Sequence, residues 1–254
     1  MFAVEPGDAG PVWGQLGKSL PRPRAVLMVS AHWETSVPML TGNAKPETIH
    51  DFGGFPPELY RVTYPAPGAP ELAAECVVLL EKAEIAAGVD GSRGLDHGAW
   101  VPMRWMYPDA DVPMAQLSVQ PQQGTTHHVA LGRALAPLTE SGVLIIGSGH
   151  TTHNLRDWMA NMRQPAPLAY VGNFSAWLAT TLAAHDTAAL VAYRERAPEA
   201  VRAHPSEEHF LPLFVAYGAA GDDALPERFL ADSRTDAIAM DSYVFTPAES
   251  LAHT

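Results

Sequence analysis

Eleven histidines stand against sixteen lysines plus arginines in this 254-residue chain, several of them in short segments containing Gly, Pro or Ser. Loops at strand ends are where metal sites and acid–base groups are usually built, and imidazole serves in both. The densest such segment is Ser148-Gly149-His150-Thr151-Thr152-His153-Asn154-Leu155-Arg156. A helix starting there would put His150 and His153 on one face at i, i+3 spacing. An imidazole pKa near neutrality suits one of them to proton abstraction in a cleft. The plainer alternative is Ser148 or Thr151 as a helix cap, with both histidines at the surface.

Four other segments carry candidate groups. His32 follows an apolar run in Val29-Ser30-Ala31-His32-Trp33-Glu34, where a neutral imidazole could ligate a metal or simply hydrogen-bond to backbone. Ile49-His50-Asp51-Phe52-Gly53-Gly54-Phe55-Pro56 sets two glycines beside two aromatics. That composition suits backbone approaching a planar ligand with rings walling the pocket, or equally a packed surface loop. Asp96-His97 sits between Gly94 and Gly98, but neighbours in extended chain point opposite ways, so spacing alone implies no Asp96–His97 pair. His204-Pro205-Ser206-Glu207-Glu208-His209-Phe210-Leu211-Pro212 precedes an apolar helix, and Glu208 or His209 could complete a metal site from a distant part of the chain. This is not an HExxH motif. His127-His128 reads as a solvated helix start, and His185 and His253 have no assigned partner. Met103, Met106, Trp100 and Trp105 read as core.

These groups must be positioned by regular elements. Buried strands are expected at Ala25–Ser30, Met39–Thr41, Pro113–Val119, Val143–Gly147 and Ala237–Phe245. Helices are expected from Pro70 to about Gly88, Val129 to Leu138, Leu168 to Ala184 and Leu211 to Ala220. The alternation predicts a single α/β domain: a central mixed or mostly parallel sheet flanked by helices, with the site at the strand ends. Two of the apolar strands, the first and the fourth, run directly into histidine.

Composition removes several functions. Net charge is −12, from 16 basic and 28 acidic residues, which disfavours binding to a phosphate backbone, so no nucleic-acid partner is expected. Apolar stretches such as Phe210 to Gly221 are shorter than the roughly 18–20 residues of a membrane span, so no membrane role is expected either. Cys76 is the only cysteine, which excludes an internal disulfide and a CxxC site. The opening Met1-Phe2-Ala3-Val4-Glu5-Pro6 does not read as a secretory signal, and a cytoplasmic location is expected.

Read in order, the segments resemble the class III extradiol ring-cleavage dioxygenases of the 4,5-DOPA dioxygenase type. The resemblance runs through Leu20-Pro21-Arg22-Pro23, Ser30-Ala31-His32-Trp33 and His50-Asp51-Phe52-Gly53-Gly54-Phe55-Pro56. It continues through Tyr64-Pro65-Ala66-Pro67-Gly68, Asp96-His97-Gly98-Ala99-Trp100 and His153-Asn154-Leu155-Arg156. It ends in Glu208-His209-Phe210-Leu211-Pro212-Leu213. The resemblance implies a non-haem metal site, with Fe(II) in catalysis and Zn(II) often bound, that opens a DOPA-like catechol with O₂. It implies His32 and His209 as metal ligands and His153 as catalytic base close enough to the metal to count among the ligands. It implies His97 as a donor to substrate or dioxygen, while the glycines and rings of the 50–56 loop themselves suggest His50, Phe52 and Phe55 as the wall of a pocket for a planar aromatic diol. A homo-oligomer is compatible with the resemblance.

The family's first ligand is a histidine in a His-Gly-Ser-Pro segment ending the first strand, and this sequence has no such segment. The expectation is therefore that residues 1–254 form the catalytic domain without that strand, and that upstream codons encode it. Two alternatives have different chemistry: a zinc-dependent hydrolase with His153 as base, or a non-catalytic binding member of the same fold.

Overall fold

A computed structural model describes residues 7–163, 166–230 and 237–247. The chain begins with α1 (Ala9–Ser19), β1 (Ala25–Glu34) and β2 (Met39–Thr41). Next come α2 (Pro70–Lys82), β3 (Gly88–Asp90), α3 (His97–Met106) and β4 (Met114–Val119). α4 (Gly124–Leu135) and the single turn α5 (Pro137–Glu140) lead to β5 (Val143–Ser148) and β6 (Thr152–His153). A helical stretch follows: α6 (Leu155–Arg163), α7 (Ala169–Ala183), α8 (Thr187–Val191), α9 (Tyr193–Arg196), α10 (Ala200–Ala203) and α11 (Leu211–Ala220). β7 (Leu225–Leu230), β8 (Ile238–Ala239) and β9 (Ser242–Thr246) come last.

Five strands form the main sheet in the order β3-β2-β4-β1-β5. β1 runs parallel to both β4 and β5, and β2 parallel to β3, while β2 meets β4 antiparallel at Leu40 and Leu117. The sheet is mixed and mostly parallel, as the alternation of elements predicted. Side chains alternate across a strand, and in β1 both sets are apolar. Leu27 and Val29 join a core with Leu72 and Cys76 of α2, Leu131 of α4 and Phe214 of α11. Val26 and Met28 join a second core with Trp100, Met103 and Met106 of α3. Helices therefore cover both faces, and β1 reads as a continuous apolar run for that reason.

Several expected elements differ. The helix from Pro70 stops at Lys82, not Gly88; Glu84 takes a left-handed backbone (φ 59°), and Gly88 pairs with Met39 as a strand. The expected strand Ala237–Phe245 is two short strands outside the main sheet, β8 against β6 and β9 against β7. No helix joins His150 to His153, because β6 intervenes and the helix begins only at Leu155. His128 is fully buried rather than solvated: it accepts from the Gln120 amide at 3.1 Å and bonds the Gly124 carbonyl at 2.7 Å. Trp100, Met103 and Met106 are core, as expected. His253 lies outside the described residues.

Among the described residues β5 pairs only with β1, and its half-exposed residues line a cavity of about 1310 Å³. Trp13 and Leu16 of α1, Leu213 of α11 and Phe245 of β9 also line it, and it reaches His32, His97, His150 and His209.

Candidate metal centre and active site

Because β1 and β5 are parallel, their carboxyl ends open on the same side of the sheet, and the histidines gather there. His32 lies near the end of β1, and His150 just beyond β5. His153 is held in β6 by pairing with β8, where the Thr151 amide donates to the Ala239 carbonyl at 2.9 Å. His97 is the first residue of α3, and His209 lies two residues before α11.

One buried carboxylate ties the first of these elements together. Asp96 caps α3 by accepting from the Ala99 amide. Its Oδ1 also accepts from Ser30 Oγ at 2.7 Å, and its Oδ2 from Gln116 Nε2 and from Arg93 at 3.3 Å. Ser30 in turn accepts from the His32 amide at 3.2 Å, so the His32 strand end and the His97 helix share one anchor. Gly98 lets them meet, since a Cβ there would sit 2.4 Å from Ser30 Oγ and 3.1 Å from the His32 ring. Ser148 Oγ donates to the Gly98 carbonyl at 2.6 Å, bringing the end of β5 to the same place.

The result is a contiguous run of five imidazoles. Ring centroids are 4.0 Å apart for His97 and His32, 5.0 Å for His32 and His209, and 3.5 Å for His209 and His153. His150 lies 5.1 Å from His153 and 5.5 Å from His209. Two sets of potential ligand atoms emerge, each within 4.8 Å of one another: His150, His153 and His209, and His32, Asp51 and His97.

Burial sets the charge state. It pushes the His32 pKa down to about 3, helped by His97 and His209, and His153 to about 4, helped by His209. His150 too is lowered well below its ordinary value, by burial first. At neutral pH these rings are uncharged, which is the ligating and proton-accepting form. The carboxylates move the other way. Burial works to raise Asp51, but contact with His97 prevails and holds it at about 2. The hydrogen bond to His209 holds Glu208 at about 2.

Those carboxylates orient the rings. Glu208 Oε1 lies 3.0 Å from His209 Nδ1, leaving His209 Nε2 for a ligand. Asp51 Oδ1 accepts from the His97 amide at 2.9 Å and lies 3.0 Å from His97 Nδ1, with Oδ2 at 3.5 Å from His32 Nδ1. The sequence treats Asp51 only as part of a glycine-aromatic loop; its place beside two histidines from other segments appears only in the fold. Asp96, by contrast, bonds away from His97, consistent with extended neighbours pointing apart. A sixth histidine, His204, is fully buried outside the cluster and supports it, with Nε2 at 2.7 Å from the Thr151 carbonyl.

The expected substrate wall is adjacent. Phe52 packs edge-on to His97 at 5.4 Å and to Phe55 at 5.7 Å, and Phe55, 39% exposed, borders the cavity with His32 and His97. His50 packs on Phe52 at 5.7 Å and directs Nε2 to the Val62 carbonyl at 2.8 Å, so that nitrogen is engaged within the protein. The donor set fits a divalent non-haem metal: clustered imidazoles, three with Nδ1 beside a carboxylate, and a buried His150 Nδ1 with no hydrogen-bond partner among the described residues.

An α/β sheet with neutral imidazoles clustered at its strand ends defines a metal-dependent enzyme of the strand-mouth type. Comparison with known proteins narrows the class. The family model described as the catalytic LigB subunit of aromatic ring-opening dioxygenase matches residues 13–246. The 4,5-DOPA dioxygenase extradiol of Beta vulgaris is 45% identical over 226 residues, covering 89% of this chain and 84% of that one. The protein of the same name from Escherichia coli (strain K12) is 40% identical, covering 82% and 76%. The crystal structure of an uncharacterized protein from Escherichia coli K12 superposes with a TM-score of 0.77 at 31% identity, covering 92% of this chain and 91% of that one. The chain belongs to the LigB family and is an extradiol aromatic ring-opening dioxygenase.

Proposed function

We propose that the substrate is a catechol of the DOPA type, that Fe(II) is the working metal, and that Zn(II) occupies the same centre without supporting turnover. The observation that carries this reading is the convergence of His32, His97, His153 and His209 from four distant segments, with His32, His97 and His209 lining one cavity and His153 stacked on His209. When bound, the metal supplies adjacent positions for the diol and O₂ and an electron path between them.

The protein's own groups do the rest. His32 and His209 hold the metal. His153, uncharged at neutral pH, takes the second phenolic proton on a ring nitrogen. His97, held by Asp51, donates to the substrate or to dioxygen. His50, Phe52 and Phe55 wall the aromatic ring. One O₂ is consumed, both its atoms enter the product, and the carbon–carbon bond beside the diol breaks to leave a semialdehyde acid. The lone buried Cys76 suits a reducing cytoplasm. Among the described residues no helix is long and apolar enough to cross a membrane.

The test is anaerobic loading with Fe(II), followed by a panel of catechols in air. Oxygen uptake matched by a visible semialdehyde absorbance is expected for at least one DOPA-like diol. Loaded protein that consumes no oxygen with any member of the panel would overturn the reading.

A further inference from the structure

Among the described residues, Asp51 is the one carboxylate that stands beside two rings of the cluster. Its Oδ1 lies 3.0 Å from His97 Nδ1 and its Oδ2 3.5 Å from His32 Nδ1. Glu208 serves His209 alone, and Asp96 bonds away from the rings. His32 belongs to the metal side of the proposed site and His97 to the substrate side, so one acid touches both.

The main chain puts it there. Thr48 and Leu95 form a parallel bridge, and the Ile49 amide donates to the Leu95 carbonyl at 2.7 Å, so the chain reaching Asp51 runs beside the chain reaching His97. Trp100 Nε1 of α3 donates to the Ile49 carbonyl at 2.9 Å, and Asp51 Oδ1 accepts from the His97 amide at 2.9 Å. The next residue, Phe52, packs edge-on to the same His97 ring at 5.4 Å. Two consecutive residues of the substrate-wall loop therefore contact one imidazole. His97 Nδ1 is enclosed and has no aligned hydrogen bond among the described residues. Buried polar atoms rarely stay unpaired, and a small ring rotation toward Asp51 Oδ1 supplies the bond.

A carboxylate beside one imidazole nitrogen holds the proton there and fixes the ring plane, leaving the other nitrogen for its task. For His32 that task is a lone pair for the metal; for His97 it is a contact with substrate or dioxygen. We propose that Asp51 is a positioning residue shared by the two sides of the site, acting through His32 on metal affinity and through His97 on ring opening. The His97 half rests on the ring-opening reading; the His32 half rests on the geometry of the cluster.

Asp51→Asn tests this, because its amide oxygen can still take the His97 amide while its NH₂ faces His32 Nδ1 in place of an acceptor. In a Co(II) titration of metal-free protein, read by d–d absorption and chelator competition, the wild-type chain should bind one Co(II). Asp51→Asn should bind about 10–100-fold more weakly, with Asp51→Glu, which keeps the charge, falling between the two. The urea midpoint of metal-free Asp51→Asn should match wild type, which separates positioning from a structural role. At saturating Fe(II), Asp51→Asn should lower kcat at least about tenfold with KM within about threefold. The double variant Asp51→Asn, His97→Gln should stay within about threefold of His97→Gln alone, because groups acting through one another do not add. Wild-type Co(II) affinity in Asp51→Asn would overturn the inference, as would losses that multiply in the double variant. A second Co(II) per chain, lost in Asp51→Asn, would make Asp51 a ligand and overturn it too. Should Asp51→Asn misfold by circular dichroism, Asp51→Ser takes its place. Wild-type protein that binds Co(II) but opens no catechol with Fe(II) would overturn the ring-opening reading and the His97 half with it, and the Co(II) comparison would then decide the His32 half alone.

Discussion

The imidazoles of His153 and His209 lie face to face, with ring centroids 3.5 Å apart and planes 8° from parallel. Two cationic rings would not stack this way, and burial accordingly holds His153 at about 4, so it is neutral at pH 7. Glu208 engages His209 Nδ1, turning the other nitrogen toward the cluster. The contact joins a two-residue strand to the segment leading into α11, 56 positions apart in sequence by subtraction of their numbers. It sets the proposed proton acceptor against a proposed metal ligand.

Replacing His153 with alanine should therefore separate the two roles. Turnover should fall by about 10²–10⁴, the usual contribution of a general base. Metal content should remain near one per chain. Measuring kcat alongside metal analysis checks both, and equal loss of metal and turnover would make His153 a ligand first.

Phe55→Ser should raise the apparent KM for a catechol about two- to tenfold, with kcat little changed. An aromatic contact of this kind contributes about 0.5–1.5 kcal/mol, and Phe55 stands at the cavity border next to Phe52. Steady-state kinetics with an unchanged KM would remove that loop from the substrate site.

Asp96→Ala should destabilise the whole domain. The fully buried carboxylate serves Ser30, Gln116, Arg93 and the start of α3 at once. Stranding buried partners costs about 1–3 kcal/mol, and losing the cap about 0.5–2 kcal/mol. A lower urea midpoint with an unchanged slope is expected. Asp96→Asn keeps an oxygen for Ser30 and the Ala99 amide and should be milder than alanine, while the Arg93 charge left behind keeps it destabilising.

Acid should weaken the metal-free fold well before the carboxylates titrate. Burial holds His128 at about 4, against 6.5 for an ordinary histidine, and its Nε2 already accepts from the Gln120 amide. Below pH 6.5 the unfolded chain binds this proton and the folded chain does not, so stability is full above about 6.5 and falls toward 4. The slope reaches about 1.4 kcal/mol per pH unit for one such group. His204, held at about 3 chiefly by burial, acts in the same direction. Urea unfolding at pH 7 and pH 5 measures the loss, and His128→Asn should flatten it. Equal stability at the two pH values would show that these rings are not buried in neutral form.

Much of this molecule is written in local pattern. The strand at Ala25 is an unbroken apolar run because both its faces are covered, and the helices Pro70–Lys82 and Leu211–Ala220 carry a proline in their first two positions, where a missing amide donor is tolerated. Strands that end in histidine disclose a site at the sheet mouth, and the ordered motifs disclose the ring-opening family. Tertiary structure decided what local pattern does not encode. Burial of His128 depends on packing around α4, and pairing of residues 238–239 with β6 depends on a partner strand 85 positions away, the separation of the paired Ile238 and His153. Asp51 reaches His97 and His32 across 46 and 19 positions by the same subtraction, and His150 meets His209 only because Gly149 has no side chain. Such contacts form between groups whose sequence neighbourhoods carry no record of each other. The chain specifies which residues can ligate and accept protons, and the closure of long loops specifies which of them meet.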